Sequence, residues 1–343
     1  MAIIDVYVWP DAAGGGTGVD WTNAYTSLSA AIAAETADLV SDGNEIIFNC
    51  RSNGGTLDTT AVDVTGYTTG ASNIITLLNA EAHGGAWNTS VYVLQAANQD
   101  VLIINEEFVT ILGLQIELTS INANYQKCFE VGALASGAVT EVGFCICKSA
   151  NNASYRERAF HVSPRTMHLY STLVYNVNTG NTSVANSCIY ISSTGAVTNV
   201  YNCTFSGGYV NQYDTNGTMN AVDCIFVNAG LRVSANATHW GSSDYNISDY
   251  VATTGGANDV NSATFTFVDA ANGNFNLAVG DSSGAKNSGT DDPGSGLYSV
   301  DLASVTFTST WSRGCLEYVA AGGRPLPARA FTGPFSGPFG GVI

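Results

Sequence analysis

One short phrase of sequence recurs five times between Val109 and Val227, and no other feature limits the possible folds as tightly. The copies read Ile111-Leu-Gly-Leu-Gln-Ile116, Val142-Gly-Phe-Cys-Ile-Cys147, Leu169-Tyr-Ser-Thr-Leu-Val174, Val200-Tyr-Asn-Cys-Thr-Phe205 and Ala221-Val-Asp-Cys-Ile-Phe226. Successive copies begin 31, 27, 31 and 21 residues apart. The first, fourth and sixth residues are mostly apolar, while the third is Gly, Phe, Ser, Asn or Asp, as though the chain bends there between two short strands. A second register, Phe129-Glu-Val131, Phe160-His-Val162 and Ile189-Tyr-Ile191, runs alongside with steps of 31 and 29. Each period therefore holds at least two short strands with alternating faces. A period of roughly 20 to 30 residues without a helical pattern indicates a β-solenoid, whose like residues stack about 4.8 Å apart. Leucine-rich repeats share the period but need a Leu/Asn consensus that this chain lacks. The uneven steps place insertions in the turns, where they leave the strands undisturbed.

Composition fits an all-β solenoid. Of the 343 residues, 45% are hydrophobic and only 11% charged, with 37 glycines, which is ample for a long core behind faces of short polar side chains. The formal net charge of −17 argues against nucleic acid, whose phosphates call for Lys and Arg, and against an anionic membrane surface. No run reaches the roughly 18 apolar residues of a membrane span, and the opening Met1-Ala-Ile-Ile has neither the basic region nor the apolar core of a secretion signal. Cys145, Cys203 and Cys224 share one inward position of the repeat, and Cys128 and Cys188 share another. Such columns read as stacks of small buried hydrophobes rather than disulfides or a zinc site, and no metal or cofactor is expected.

The repeat resembles that of right-handed parallel β-helices of the pectate-lyase-like kind. Upstream, the strand pattern of residues 3–9, the glycine-rich turn of 10–18, Trp21 and an amphipathic segment with Leu28, Ala31, Ile32 and Leu39 on one face resemble the amino-terminal cap of such proteins. Thr26 or Ser27 is the expected N-cap. Downstream, Phe267-Val-Asp269, Gly273-Asn-Phe275-Asn-Leu277, Ala285-Lys-Asn287, Gly289 and Arg313-Gly-Cys-Leu-Glu-Tyr318 resemble the closing segment of a large β-helix family, F-x-D…G-x-F-x-L…S-P-A-x-N-x-G…I-G-A-x-E-Y. Here Gly284 stands for the usual Pro, Arg313 for the Ile and Cys315 for the Ala. The chain thus divides into a capping region at 1–45, the β-helix at 46–250, a closing segment at 251–318 and an arm at 319–343. The arm ends in Phe331-Thr-Gly-Pro, Phe335-Ser-Gly-Pro and Phe339-Gly-Gly-Val-Ile343, a density of Gly and Pro that forbids helix and central strand.

For chemistry, the alignment stacks Glu130 beside His161 and Glu141 beside His168, with Arg156 and Arg158 in the same coils. Outward columns of this kind could bind a saccharide, or set an acid and a base across a glycosidic bond. The competing reading is that they are cross-coil surface pairs worth a few tenths of a kcal/mol each. Neither the calcium-binding carboxylates of the lyases nor the aspartate cluster of the hydrolases that share this fold is recognisable, so no catalytic residue is assigned. Similar chains with Gly/Pro tails occur among tailed-phage virion proteins. That resemblance implies a structural virion component assembled in the host cytoplasm: a capsid decoration, fibre or tail protein. It would associate as a homotrimer and dock on other virion proteins through its ends and through Phe331, Phe335, Phe339 and Ile343. The alternative is a tailspike-type receptor-binding protein or polysaccharide-degrading enzyme that engages a host surface glycan.

Overall fold

The computed structural model describes residues 2–319, apart from 124, 133–136, 151, 153–154, 164–165, 179–185, 193–194, 213–216, 229, 233–239, 252–253 and 308–309. The docking residues Phe331, Phe335, Phe339 and Ile343 lie outside the described residues.

The chain is a right-handed parallel β-helix of three sheets. The first runs through eight strands from Ala2–Val8 to Thr218–Val222, the second through seven from Val93–Ala97 to Ile247–Ser248, and the third through seven from Val62–Val64 to Gly230–Arg232. All pairings within them are parallel and join strands of successive coils. The repeat stacks in register: Ile111, Val142, Leu169, Val200 and Ala221 form one interior column, and Ile116, Cys147, Val174, Phe205 and Phe226 another. Phe205 and Phe226 stack with centroids 5.4 Å apart, and Phe129 and Phe160 with centroids 5.1 Å apart. Truncating one of these buried rings would cost about 3 to 5 kcal/mol.

The bend at the third residue of each copy is a single left-handed residue. Gly113, Phe144, Ser171, Asn202 and Asp223 have φ of 70°, 57°, 43°, 45° and 57°. This conformation costs nothing at Gly113 and least among side chains at Asn and Asp. It turns the chain from the first sheet into the second without a loop.

At the amino-terminal end the single amphipathic segment forms two helices, α1 (Leu28–Ala34) and α2 (Leu39–Asp42). The break arises where residues 37–39 pair with Thr68: the Thr68 N–H donates to the Ala37 carbonyl and the Leu39 N–H to that of Thr68. Asp38 then caps α2 and Gly43, left-handed at φ 67°, ends it. Ser27 caps α1, its Oγ accepting from the Ala30 N–H at 3.1 Å. Buried Asp58 accepts from the Leu28 N–H and from the Tyr92 hydroxyl, both at 2.7 Å. These bonds tie the helix to the first coils, so Leu28, Ala31, Ile32 and Leu39 join the core.

The closing segment lies along the flank of the helix. Its residues Phe275, Leu277, Tyr298, Leu302, Trp311 and Leu316 pack on Leu112, Phe144, Tyr170, Leu173, Ile225 and Ile247 over the corner between the first and second sheets. The strap reads the left-handed column residue by residue. The Ser171 hydroxyl donates to the Val300 carbonyl at 3.2 Å. The Asn202 amide donates to the Ser312 carbonyl at 2.9 Å and accepts from the Tyr298 hydroxyl at 2.6 Å. The Asp223 carboxylate accepts from the Thr290 N–H at 3.0 Å. Gly289 is required beside it, since a Cβ there would sit 2.6 Å from the carboxylate.

All eight cysteines are free and buried, and burial pushes the Cys145 thiol up to about 12. Thiol labelling of the native protein is expected to spare Cys145, Cys203 and Cys224 until denaturant is added, and their rapid modification without unfolding would contradict the interior column. Burial also pushes the Asp223 carboxyl up to about 8, outweighing the Thr290 amide and Arg313 that favour its charged form. The folded state then binds this proton more tightly than the unfolded chain, whose carboxyl titrates near 3.8. Its contribution to stability is fully present at low pH and lost as pH rises toward 8. Thermal unfolding at a series of pH values should show this decline in the native protein and a flatter profile in Asp223→Asn.

Candidate functional site

Parallel register decides which outward side chains can meet. In the third sheet Lys127 pairs with Arg158, while Glu130 pairs with His161 and His161 with Tyr190. Lys127 Nζ lies 2.8 Å from an oxygen of Asp100 and 2.8 Å from one of Glu130, and His161 Nδ1 lies 3.1 Å from the other Glu130 oxygen. The hydrogen bond with His161 and the ammonium of Lys127 hold the Glu130 carboxyl down at about 2, against its partial burial. The Arg158 guanidinium sits 3.5 Å from the ring centroid of Tyr190 and 4.5 Å from that of Tyr125, and Arg156 donates to the Tyr125 hydroxyl. Four candidates named from the sequence, Glu130, His161, Arg156 and Arg158, thus converge on one charged and aromatic patch. His161 Nε2, the ring nitrogen left over from Glu130, is buried and has no hydrogen-bond partner among the described residues. The Glu130–His161 pair thus joins two neighbouring strands, with the second ring nitrogen turned away from solvent.

The other two candidates stand on a different sheet. Thr110, Glu141, His168, Asn199 and Asn220 form an outward column of the first sheet. Asn220 donates to the Asn199 carbonyl oxygen at 2.7 Å and accepts from the Ser242 N–H at 2.8 Å. Burial raises the pKa of Glu141 and lowers that of His168, and among the described residues no charged partner offsets either shift. Both are therefore biased toward their neutral forms on neighbouring strands. The two carboxylate–imidazole columns are separate sites. Among the described residues no group of three His, Cys, Asp or Glu side chains is placed to hold a metal ion.

Sequence reasoning missed a third feature. A cavity of about 720 Å³ opens between the second sheet, the Trp87 loop and the strap, with Trp87, Tyr175 and Phe275 among its walls. Its walls come from separate segments spread between Trp87 and Phe275, so no local motif marks it. The nearest signal was Tyr175-Asn176, directly after the third copy of the repeat.

The Glu130 pairing carries a testable consequence. Because folding lowers this pKa from an ordinary 4.5 to about 2, its stabilisation is present above the ordinary value and lost as pH falls toward the lower one. The stability difference between the native protein and Glu130→Gln should shrink as an acid titration crosses that window, and a constant difference would show that the ion pairs contribute nothing.

No protein-family model matches the sequence, and no curated protein matches it. Among solved structures, the chain is similar to that described as the crystal structure of pectate lyase Pel9A, with 13% sequence identity and a TM-score of 0.45 over 93% of this chain and 97% of that one.

Proposed function

We propose that this protein is a structural component of a tailed-phage virion, a rigid β-helix that docks on neighbouring virion proteins through its C-terminal arm. The observation that carries the reading is the anchorage of Tyr318 on the flank. Its N–H donates to Ser312 Oγ at 3.1 Å, and Lys286 Nζ lies 4.3 Å from its ring centroid. Tyr318 itself is thereby held on the side of the helix. An apolar beat of Phe331, Phe335, Phe339 and Ile343 suits burial against a partner better than exposure. Each such side chain contributes about 1.5 to 3 kcal/mol when buried, opposed by about 1 to 2 kcal/mol per residue ordered. Several arms docking together, as in a homotrimer on a particle, would overcome that cost. Deletion of residues 325–343 is expected to leave a folded β-helix, judged by circular dichroism, that no longer joins particles. Unchanged incorporation would exclude the arm as the attachment element.

A second reading is a polysaccharide-degrading enzyme, and Glu141 with His168 favours it. A carboxyl held toward its protonated form beside a neutral imidazole supplies an acid and a base. Against it stands the third-sheet patch, whose Glu130 is committed to Lys127 and His161. Host surface glycans incubated with the protein should show no new reducing ends or unsaturated products. Products that vanish in His168→Ala would establish the enzymatic reading instead.

A further inference from the structure

The cavity beside Trp87 is built as a binding site by three independent features. Its first is rigidity. The Asn88 N–H donates to Gln115 Oε1, and Gln115 Nε2 donates back to the Asn88 carbonyl, both at 2.7 Å. Gln115 is fully buried, so the loop carrying Trp87 is clamped to the second sheet. Tyr175 lies 6.3 Å from Trp87 and 5.7 Å from Phe275 between ring centroids. A Cβ on Gly273 would meet both the Trp87 Cβ and the Tyr175 hydroxyl within about 3 Å, so the strap closes tightly on these rings. Walls fixed before binding cost little to order on binding.

The second feature is the mixture of groups. Trp87 and the asparagines Asn176, Asn228 and Asn272 line the cleft, with the largely buried rings of Tyr175 and Phe275 in its wall. Asn176, within the strand Leu173–Val177, and Asn228 are left-handed at φ 63° and 50°. The Asn176 amide donates to the Ser149 carbonyl at 2.8 Å, and that of Asn272 to Asp269 at 2.8 Å, leaving their carbonyl oxygens as acceptors. A half-buried tryptophan ring beside amides matches a pyranose, which has an apolar C–H face and a rim of hydroxyls. The volume falls within the roughly 300 to 1,000 Å³ usual for ligand sites.

Charge is the third. Lys148 lies 4.9 Å from the Trp87 ring centroid, but its Nζ is 2.6 Å from Glu117. The cation is balanced, and the chain carries a formal −17, which repels polyanions. We propose that the cleft formed by Trp87, Tyr175, Phe275 and the three asparagines binds a neutral oligosaccharide, independently of whether the protein belongs to a virion.

Calorimetric titration of the full chain with malto-, cello-, manno- and N-acetylglucosamine oligosaccharides, with oligogalacturonate as the acidic counterpart, tests this. At least one neutral probe should bind. Trp87→Ala should weaken it about tenfold or more, and Val40→Ser, on the distant cap, should leave it unchanged. Should Trp87→Ala fail to fold, Asn272→Ala and Asn228→Gly, both at exposed positions, serve instead, glycine suiting the left-handed backbone of residue 228. The assignment fails if no neutral probe binds at about 10 mM, if only oligogalacturonate binds, or if folded cleft variants bind as the native protein does.

Discussion

The fold depends on a left-handed residue at the corner between the first and second sheets in five successive coils. At the corner between the first and second sheets, the N–H groups of Gly113, Phe144, Ser171, Asn202 and Asp223 donate to the carbonyls of Gly143, Tyr170, Tyr201, Val222 and Asp244 in the next coil. The ladder thus continues through the corner, and the stack has no break in hydrogen bonding there. A non-glycine residue in this conformation costs about 1 to 2 kcal/mol. At Ser171, Asn202 and Asp223 side-chain bonds to the strap offset it. At Phe144 ring packing against Tyr170, edge-on at 5.4 Å, takes that role. Corner and strap are therefore one structural unit, although they are distant in sequence.

This dependence explains what could be read from the sequence. The interior columns were legible because in-register stacking writes like residues at like positions, and the bend was legible because a left-handed corner admits few residue types. Why the corner is polar was not legible. Its hydrogen bonds span 129 residues from Ser171 to Val300 and 67 from Asp223 to Thr290, and no periodicity encodes them. The repeat is not written in the first coil of the third sheet, because its strand Val62–Val64 has only three residues, too short to show alternation. Of the candidate site, the register of Glu130 with His161 and of Glu141 with His168 followed from the alignment. The position of Arg158 between Tyr125 and Tyr190 did not, because it joins three coils through side chains of different reach.

The two columns also show how few charges suffice when register is fixed. In the third sheet Lys127 and His161 sit against Glu130, so its carboxyl is held in the charged form despite partial burial. The first sheet offers Thr110, Asn199 and Asn220 as neighbours, which carry no charge. There the cheaper solution for Glu141 and His168 is neutrality. The same arrangement of acid beside imidazole is thus a brace on one face and a pair biased toward neutrality on the other, and the difference is set by the residues one coil away.

The departures of the closing segment from the pattern it resembles follow from the same corner. Gly284 adopts φ 87°, which proline, fixed near −65°, cannot, so this strap enters its turn by a different backbone route. Arg313 replaces an apolar residue where the strap crosses Asp223. Its guanidinium donates to the Asn246 and Ser288 carbonyls at 3.0 to 3.2 Å and faces the buried carboxyl, whose charged form it favours. An Ile at 313 would leave Asp223 without that cation, so the arginine belongs with the aspartate at the fifth corner. Cys315 fills its position without exposure, its N–H donating to Thr204 Oγ1 at 3.1 Å. Gly284, Arg313 and Cys315 thus each fit the strap to the particular coil beneath them.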